Sequence, residues 1–246
     1  MLNRTILLKL IPIIICLLPQ GLAAETFSLD LAGDAGSITS RVIQMVGLVT
    51  ILSLAPSILM MVTSFTRIII VLSFLRNALG LQQSPPNSVL ISLALFMTAF
   101  IMTPTFEVAY KEGISPLIQE KISEEKALPL IIKPFHQFML KHTRDKDIEL
   151  FMSLAKTQEV KTADDLPLQI LTPAFMISEL RRAFEIGFLV FIPFLIIDIL
   201  VSSILMAMGM MMLPPVMIAM PFKLIFFVII DGWYMICGSL VKSYGI

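Results

Sequence analysis

Cysteine is nearly missing from this chain of 246 residues: Cys16 and Cys237 are the only two, and they lie in different apolar segments. That excludes a disulfide framework and a cysteine-based metal site. Histidine is equally scarce. His136 and His142 stand six positions apart, off a common helical face, with no Glu-containing zinc-binding helix motif beside them, so they read as surface or packing residues. There is no glycine-rich phosphate loop and no Gly-x-Ser-x-Gly elbow. The sequence therefore offers no enzyme signature, no cofactor site and no metal site. Charge is sparse too: 18 basic and 18 acidic residues cancel, charged residues make up 15% of the chain, and no cluster of five Lys or Arg occurs. Nucleic acid and a polybasic lipid patch both lose their electrostatic footprint.

What is present is apolar. Hydrophobic residues make up 57% of the chain and mean hydropathy is +0.91, outside the range of soluble globular domains. The few charges are also unevenly placed, with 24 of the 36 between residues 107 and 185. One polar insert thus interrupts a membrane-class chain.

At the amino terminus, Arg4 and Lys9 precede the apolar run Leu10 to Leu18, and the small residues Gly21, Ala23 and Ala24 follow. This is the order of a secretory signal peptide over 1–24, too short and too proline-broken at Pro12 and Pro19 to span a membrane. Cleavage would leave one thiol and place the new terminus across the membrane. Residues 25–40 are a short, mildly acidic lead-in. Residues 41–106 form a first apolar helical hairpin: Met45 to Thr66 lacks any charge, the run continues past Arg67 to Arg76, and the Gly80 to Asn87 stretch with Pro85-Pro86 turns it into a second helix, Val89 to Phe106. Arg67 and Arg76 flank that connection, which the positive-inside rule puts in the cytoplasm. Residues 107–172 are amphipathic and read as short helices outside the membrane, on the periplasmic side. Residues 173–246 form a second apolar hairpin, with helices expected at about 186–208 and 216–238.

Two features of that second hairpin invite a functional account. The midpoint between Asp198 and Lys223 falls between Met210 and Met211, so an antiparallel pair folded there sets both charges at equal depth, roughly 19 Å from the turn on ideal helices. Opposite charges in apolar surroundings neutralise each other, as an ion pair fixing register or subunit contact, or serve as a proton relay or ion site. Seven of the 17 methionines fall between Met206 and Met220. Met210, Met211 and Met212 sit between a hinge-capable Gly209 and the stop Pro214-Pro215, which suggests a shaped loop of adaptable side chains closing a pore; core or lipid-facing filler is the plainer alternative.

The stretch Thr63 to Arg76, the Gln83-Ser84-Pro85-Pro86-Asn87 turn, Met208 to Met217, Pro221-Phe222-Lys223-Leu224 and Asp231-Gly232-Trp233 closely resemble the FliP/SctR family of type III protein export gates. The resemblance covers about residues 41 to 240. It implies an all-α, membrane-associated fold of kinked helical hairpins with an amphipathic insert, assembled as a helical ring of five copies. It implies as partners FliR, FliQ, the export proteins FlhB and FlhA, unfolded flagellar substrates and inner-membrane lipid, in the basal body and largely on the periplasmic side of the bacterial inner membrane. It casts Met210 to Met212 as a gasket, Asp198 and Lys223 as a buried charge pair, and Arg67 and Arg76 as motif arginines. An ion-coupled transporter subunit using Asp198 is the alternative.

Overall fold

A computed structural model describes residues 35–155, 163–210 and 212–245. The expected signal peptide, most of the lead-in and Met211 lie outside the described residues. Helices dominate: α1 Ala35–Met61, α2 Phe65–Ala78, α3 Asn87–Ala109, a π turn Tyr110–Ile114, α4 Ser115–Ile118, α5 Glu124–His142, α6 Asp145–Ala155, a 3-10 turn Ala163–Asp165, α7 Leu168–Ala207, α8 Pro215–Ile229 and α9 Gly232–Lys242. No strand occurs among the described residues. The chain divides within α1 into two units, Met1–Leu52 and Ser53–Ile246. In the first unit Ile43, Val46 and Leu52 are exposed.

The second unit is built around α2. Ile68, Val71, Leu72, Leu75 and Ala78 recur at helical spacing, and each is 0% exposed. Burying side chains of this kind is worth about 1.5–3 kcal/mol each for the larger ones when water is the alternative. The wall they meet is a stripe of α7, where Ser178, Ala183 and Gly187 are small and buried. Small residues let two backbones approach closely, the means by which apolar helices associate where no water is available to drive them together. At Gly187 the approach has no slack, because a Cβ there would lie 2.6 Å from the Phe74 ring. Leu90, Ala94 and Ile101 of α3 and Leu240 of α9 complete this core. Leu75, Ala78, Leu79, Phe194 and Phe227 form a second cluster. A third, under the insert, joins Met139, Leu166, Ile170, Leu171 and Phe175.

Two breaks depart from the continuous helices expected from the sequence. The apolar run after Met45 stops at Met61 and restarts at Phe65. There the Thr63 hydroxyl accepts from the Phe65 amide at 3.4 Å, and the Thr66 hydroxyl donates to the Met60 carbonyl at 3.3 Å. Short hydroxyl side chains compete with the backbone ladder in this way. The second break falls at Ile230–Asp231, where the helix expected over 216–238 becomes two helices bent by 64°. Asp231 is left-handed at φ 51, and a Cβ on the next residue, Gly232, would lie 2.1 Å from the Phe227 ring. The sequence pattern carried hydropathy across this point, whereas backbone conformation decided it.

Among the described residues two stretches are long and apolar enough to cross a membrane, Asn87–Ile118 and Leu168–Ala207; the bent pair Pro215–Ile229 and Gly232–Lys242 makes a third if it counts as one span. α7 starts at Leu168, which places Pro173 in its second turn and joins polar insert to apolar span without interruption.

Candidate functional site

The loop between α7 and α8 follows from its residues. The Gly209 amide donates to the Met206 carbonyl at 3.1 Å and the Met210 amide to Leu205 at 3.0 Å, with Gly209 at φ 74. That is a Schellman stop, which requires a left-handed residue after the helix. Pro214 then precedes the helix start and Pro215 occupies its first turn, where a missing N–H costs nothing. Between them Met212 is 98% exposed and Met210 39%, and Met206, Met208 and Met217 are exposed as well. Met220, a turn and a half into α8, is half-buried, whereas these five are neither core nor covered by the rest of the chain.

The same device closes α2. The Gly80 amide bonds the Asn77 carbonyl at 3.0 Å and the Leu81 amide bonds Arg76 at 3.2 Å, with Gly80 at φ 77. Arg76 also donates to Asn87 Oδ1 at 2.6 Å, so it ties the end of α2 to the start of α3 across the proline turn.

Asp198 and Lys223 meet. Lys223 Nζ donates to Asp198 Oδ2 at 2.6 Å and to the Ala78 carbonyl at 3.0 Å. Ala78 ends α2, so its carbonyl lacks an intrahelical donor, and a cation is favoured at that pole of a helix. The ammonium thus ties three helices, α2, α7 and α8, within the cluster of Leu75, Phe194 and Phe227. Asp198 keeps Oδ1 without a partner.

Arg67 belongs to a different centre. It forms a buried, two-pronged ion pair with Glu179 of α7, with Arg67 Nε to Glu179 Oε2 at 2.9 Å and Arg67 Nη2 on Oε1. The Tyr244 hydroxyl donates to Glu179 Oε2 at 2.5 Å, Ser243 Oγ accepts from Arg67 Nη1 at 3.0 Å, and the guanidinium carbon stands 3.9 Å from the Tyr244 ring centre. Planar bidentate pairing plus stacking is what arginine provides and lysine does not. His142 packs on the outside of this knot, 5.0 Å from the Tyr244 ring. Burial, then the positive charges of Arg67, Lys141 and Arg182, push its pKa down to about 4.

A polar clamp also seats the insert on α7. Ser178 donates to Asp147 Oδ2 at 2.5 Å, and Arg144 pairs with Asp147 at 2.7 Å. Burial alone would raise the Asp147 carboxyl, but the Ser178 and Arg144 hydrogen bonds outweigh it and hold it below its usual range.

Sequence reasoning singled out Arg67 but not its partners. Glu179 was visible as one of four charges within Phe175 to Glu185, and Tyr244 lay near the chain's end. The available signal was that Glu179 alone of the four falls in register with the buried stripe of Phe175, Ala183 and Gly187.

Comparison with known proteins bears on the whole arrangement. The family model described as "FliP family" matches residues 48–240. The chain is 52% identical over 244 residues to the flagellar biosynthetic protein FliP of Caulobacter vibrioides, covering 99% of this chain and 92% of that protein. It is 54% identical over 220 residues to the protein of the same name from Bacillus subtilis, covering 89% and 99%. With Aquifex aeolicus FliP the identity is 51% over 197 residues, covering 79% and 82%. The methionine loop, the Asp198–Lys223 tie and the Arg67–Glu179 ion pair fall inside the matched span, and the chain belongs to the FliP family of flagellar biosynthetic proteins.

Proposed function

We propose that this protein is a pore-forming structural subunit of the flagellar type III export gate, conducting unfolded flagellar proteins across the bacterial inner membrane, with the Gly209–Pro215 loop as its seal. Five copies would form a ring with FliQ and FliR, next to FlhB and FlhA, largely on the periplasmic side. Residues 1–24 act as a removed signal peptide and 25–40 as a lead-in. Kinked apolar hairpins over 41–106 and 173–246 form the ring, and the insert over 107–172 lies outside the membrane.

The observation that carries this reading is the exposure of the loop methionines on a loop whose two ends are fixed. Gly209 and Pro214-Pro215 set the backbone, while Met210 and Met212 keep unbranched, exposed side chains. Side chains of that kind repack around irregular partners, as a seal must when a polypeptide enters and leaves. Replacing Met210, Met211 and Met212 together by Ala is expected to raise ion leakage through the assembled complex while leaving assembly intact. Unchanged membrane conductance in that variant would overturn the seal assignment.

Asp198 Oδ1 is the one feature that favours an ion-coupled role instead. The Lys223 contacts favour a structural one, since an ammonium shared between Asp198 and the Ala78 carbonyl holds helices in register. Asp198→Asn separates the two, because it can still accept from Lys223 but cannot carry a proton. Export is expected to persist; its loss with assembly intact would support the relay.

A further inference from the structure

A cavity of about 310 Å³ lies between α3, α5 and the residues after α9. Its α3 wall is apolar at Ile101, Pro104 and Val108, with Thr105 the one hydroxyl among them, while its α5 wall ends in Gln137, Lys141 and His142. Among the described residues no carboxylate lines it. Lys141 is the cation that lines its polar end, and the charges acting on His142 there are Arg67 from α2, Lys141 beside it and Arg182 from α7. Glu179 is engaged by Arg67 and by Tyr244, and the Tyr244 hydroxyl faces Glu179.

The cavity's depth along α3 points to its occupant. From Asn87, where α3 starts, to Val108 is about 32 Å of helix at 1.5 Å per residue, which matches the ~30 Å hydrocarbon thickness of a bilayer. Charged residues begin there, with Glu107 and Lys111 paired at 2.9 Å and largely exposed. Leading back into the apolar span, Phe96, Phe100, Pro104 and Val108 repeat every fourth residue and so share a face. Phe96 is 76% exposed and Phe100 62%. That strip is about 18 Å long, slightly more than one leaflet of the same bilayer.

We propose that this cavity is a binding site for an anionic phospholipid, with the headgroup phosphate at Lys141 and His142 and an acyl chain along the Phe96–Phe100–Pro104 strip. A single lysine and a titratable histidine in a shaped cavity differ from a polybasic patch, and they select one headgroup rather than a charged surface. The bound phosphate would favour protonated His142, whose pKa in the free chain is held down to about 4, so binding tightens as pH falls below about 6 toward that value.

Native mass spectrometry of the detergent-purified chain, titrated with phosphatidylglycerol or phosphatidylcholine, tests this. Phosphatidylglycerol is expected to be preferred, and Lys141→Gln to weaken it about fivefold. Phe100→Ser should weaken both lipids, and His142→Phe should abolish the pH dependence. Competition by inorganic phosphate with no effect of Phe100→Ser would show a free-anion site and overturn the lipid assignment. Equal retention of the two lipids, or a photo-cross-linker at Lys141 that captures a second copy of the chain instead of lipid, would overturn it as well.

Discussion

Glu179 shows at the level of one side chain how an apolar protein tolerates charge. Its carboxylate is 0% exposed and spends its lone pairs on Arg67 and Tyr244. Desolvating such a pair is costly, so its intact form adds little net stability, but removing one member strands the other. Glu179→Gln is therefore expected to destabilise the detergent-solubilised chain by about 3–5 kcal/mol, the cost of leaving a buried Arg67 without its counter-charge. Thermal unfolding measures this. An Arg67→Met, Glu179→Leu double variant should recover most of the loss, since well-packed apolar replacements of a buried pair are often neutral. If the double variant were as unstable as Glu179→Gln, charge neutralisation would not be the reason the two residues occur together. The register of Glu179 hinted at its burial, but its partners could not be read from positions 67, 179 and 244, which are far apart in sequence and meet only where α2, α7 and the residues after α9 pack together.

Among the elements, the α2–α7 contact is the one the rest depends on. Its closeness is set by Gly187, which faces the Phe74 ring with no room for a methyl group. Gly187→Leu is expected to push the two helices apart and to cost about 1–3 kcal/mol or more, as overpacked cores do. Adding Phe74→Ala should return part of that stability, because the variant makes room on the opposite wall. Protease resistance of the purified chain provides the readout, and a Gly187→Leu variant as resistant as the native chain would show that the contact is not tight. Helix existence was legible from hydropathy, and the turns at Gly80 and Gly209 from their Gly and Pro punctuation. The breaks at Val62–Ser64 and Ile230–Asp231 were not, because uninterrupted apolar composition hides a change of backbone direction made by two hydroxyls in one case and by a left-handed aspartate in the other. The mirrored placement of Asp198 and Lys223 was legible from counting. The third member of that tie, the Ala78 carbonyl, was not, since a backbone acceptor leaves no mark in a sequence.

For the whole molecule, the informative surface is the one the chain does not cover. Phe188 and Leu189 are each 65% exposed on α7, and Val228 and Ile229 are 75% and 77% exposed on α8. Apolar faces of this extent are covered by lipid or by other subunits. Phe188→Glu is expected to leave the isolated chain's helicity and thermal stability near native, because the side chain makes its main contacts outside the chain. The same change should prevent incorporation into the membrane-bound complex, as measured by co-purification with other export proteins. A large loss of stability in the isolated chain would mean that the face is packed internally. By itself the sequence determined that this is an all-helical, membrane-class chain with a polar insert and two proline-marked turns, because hydropathy, charge placement and Gly and Pro conformational limits are local properties. Only the tertiary structure decided which buried charges meet, where helices break, and which cavity pairs a cationic rim with an apolar wall. The Arg67–Glu179 pair and the Lys223 bond to the Ala78 carbonyl join residues more than a hundred positions apart, and the breaks turn on single hydroxyl and left-handed backbone positions, so hydropathy and charge placement encode neither.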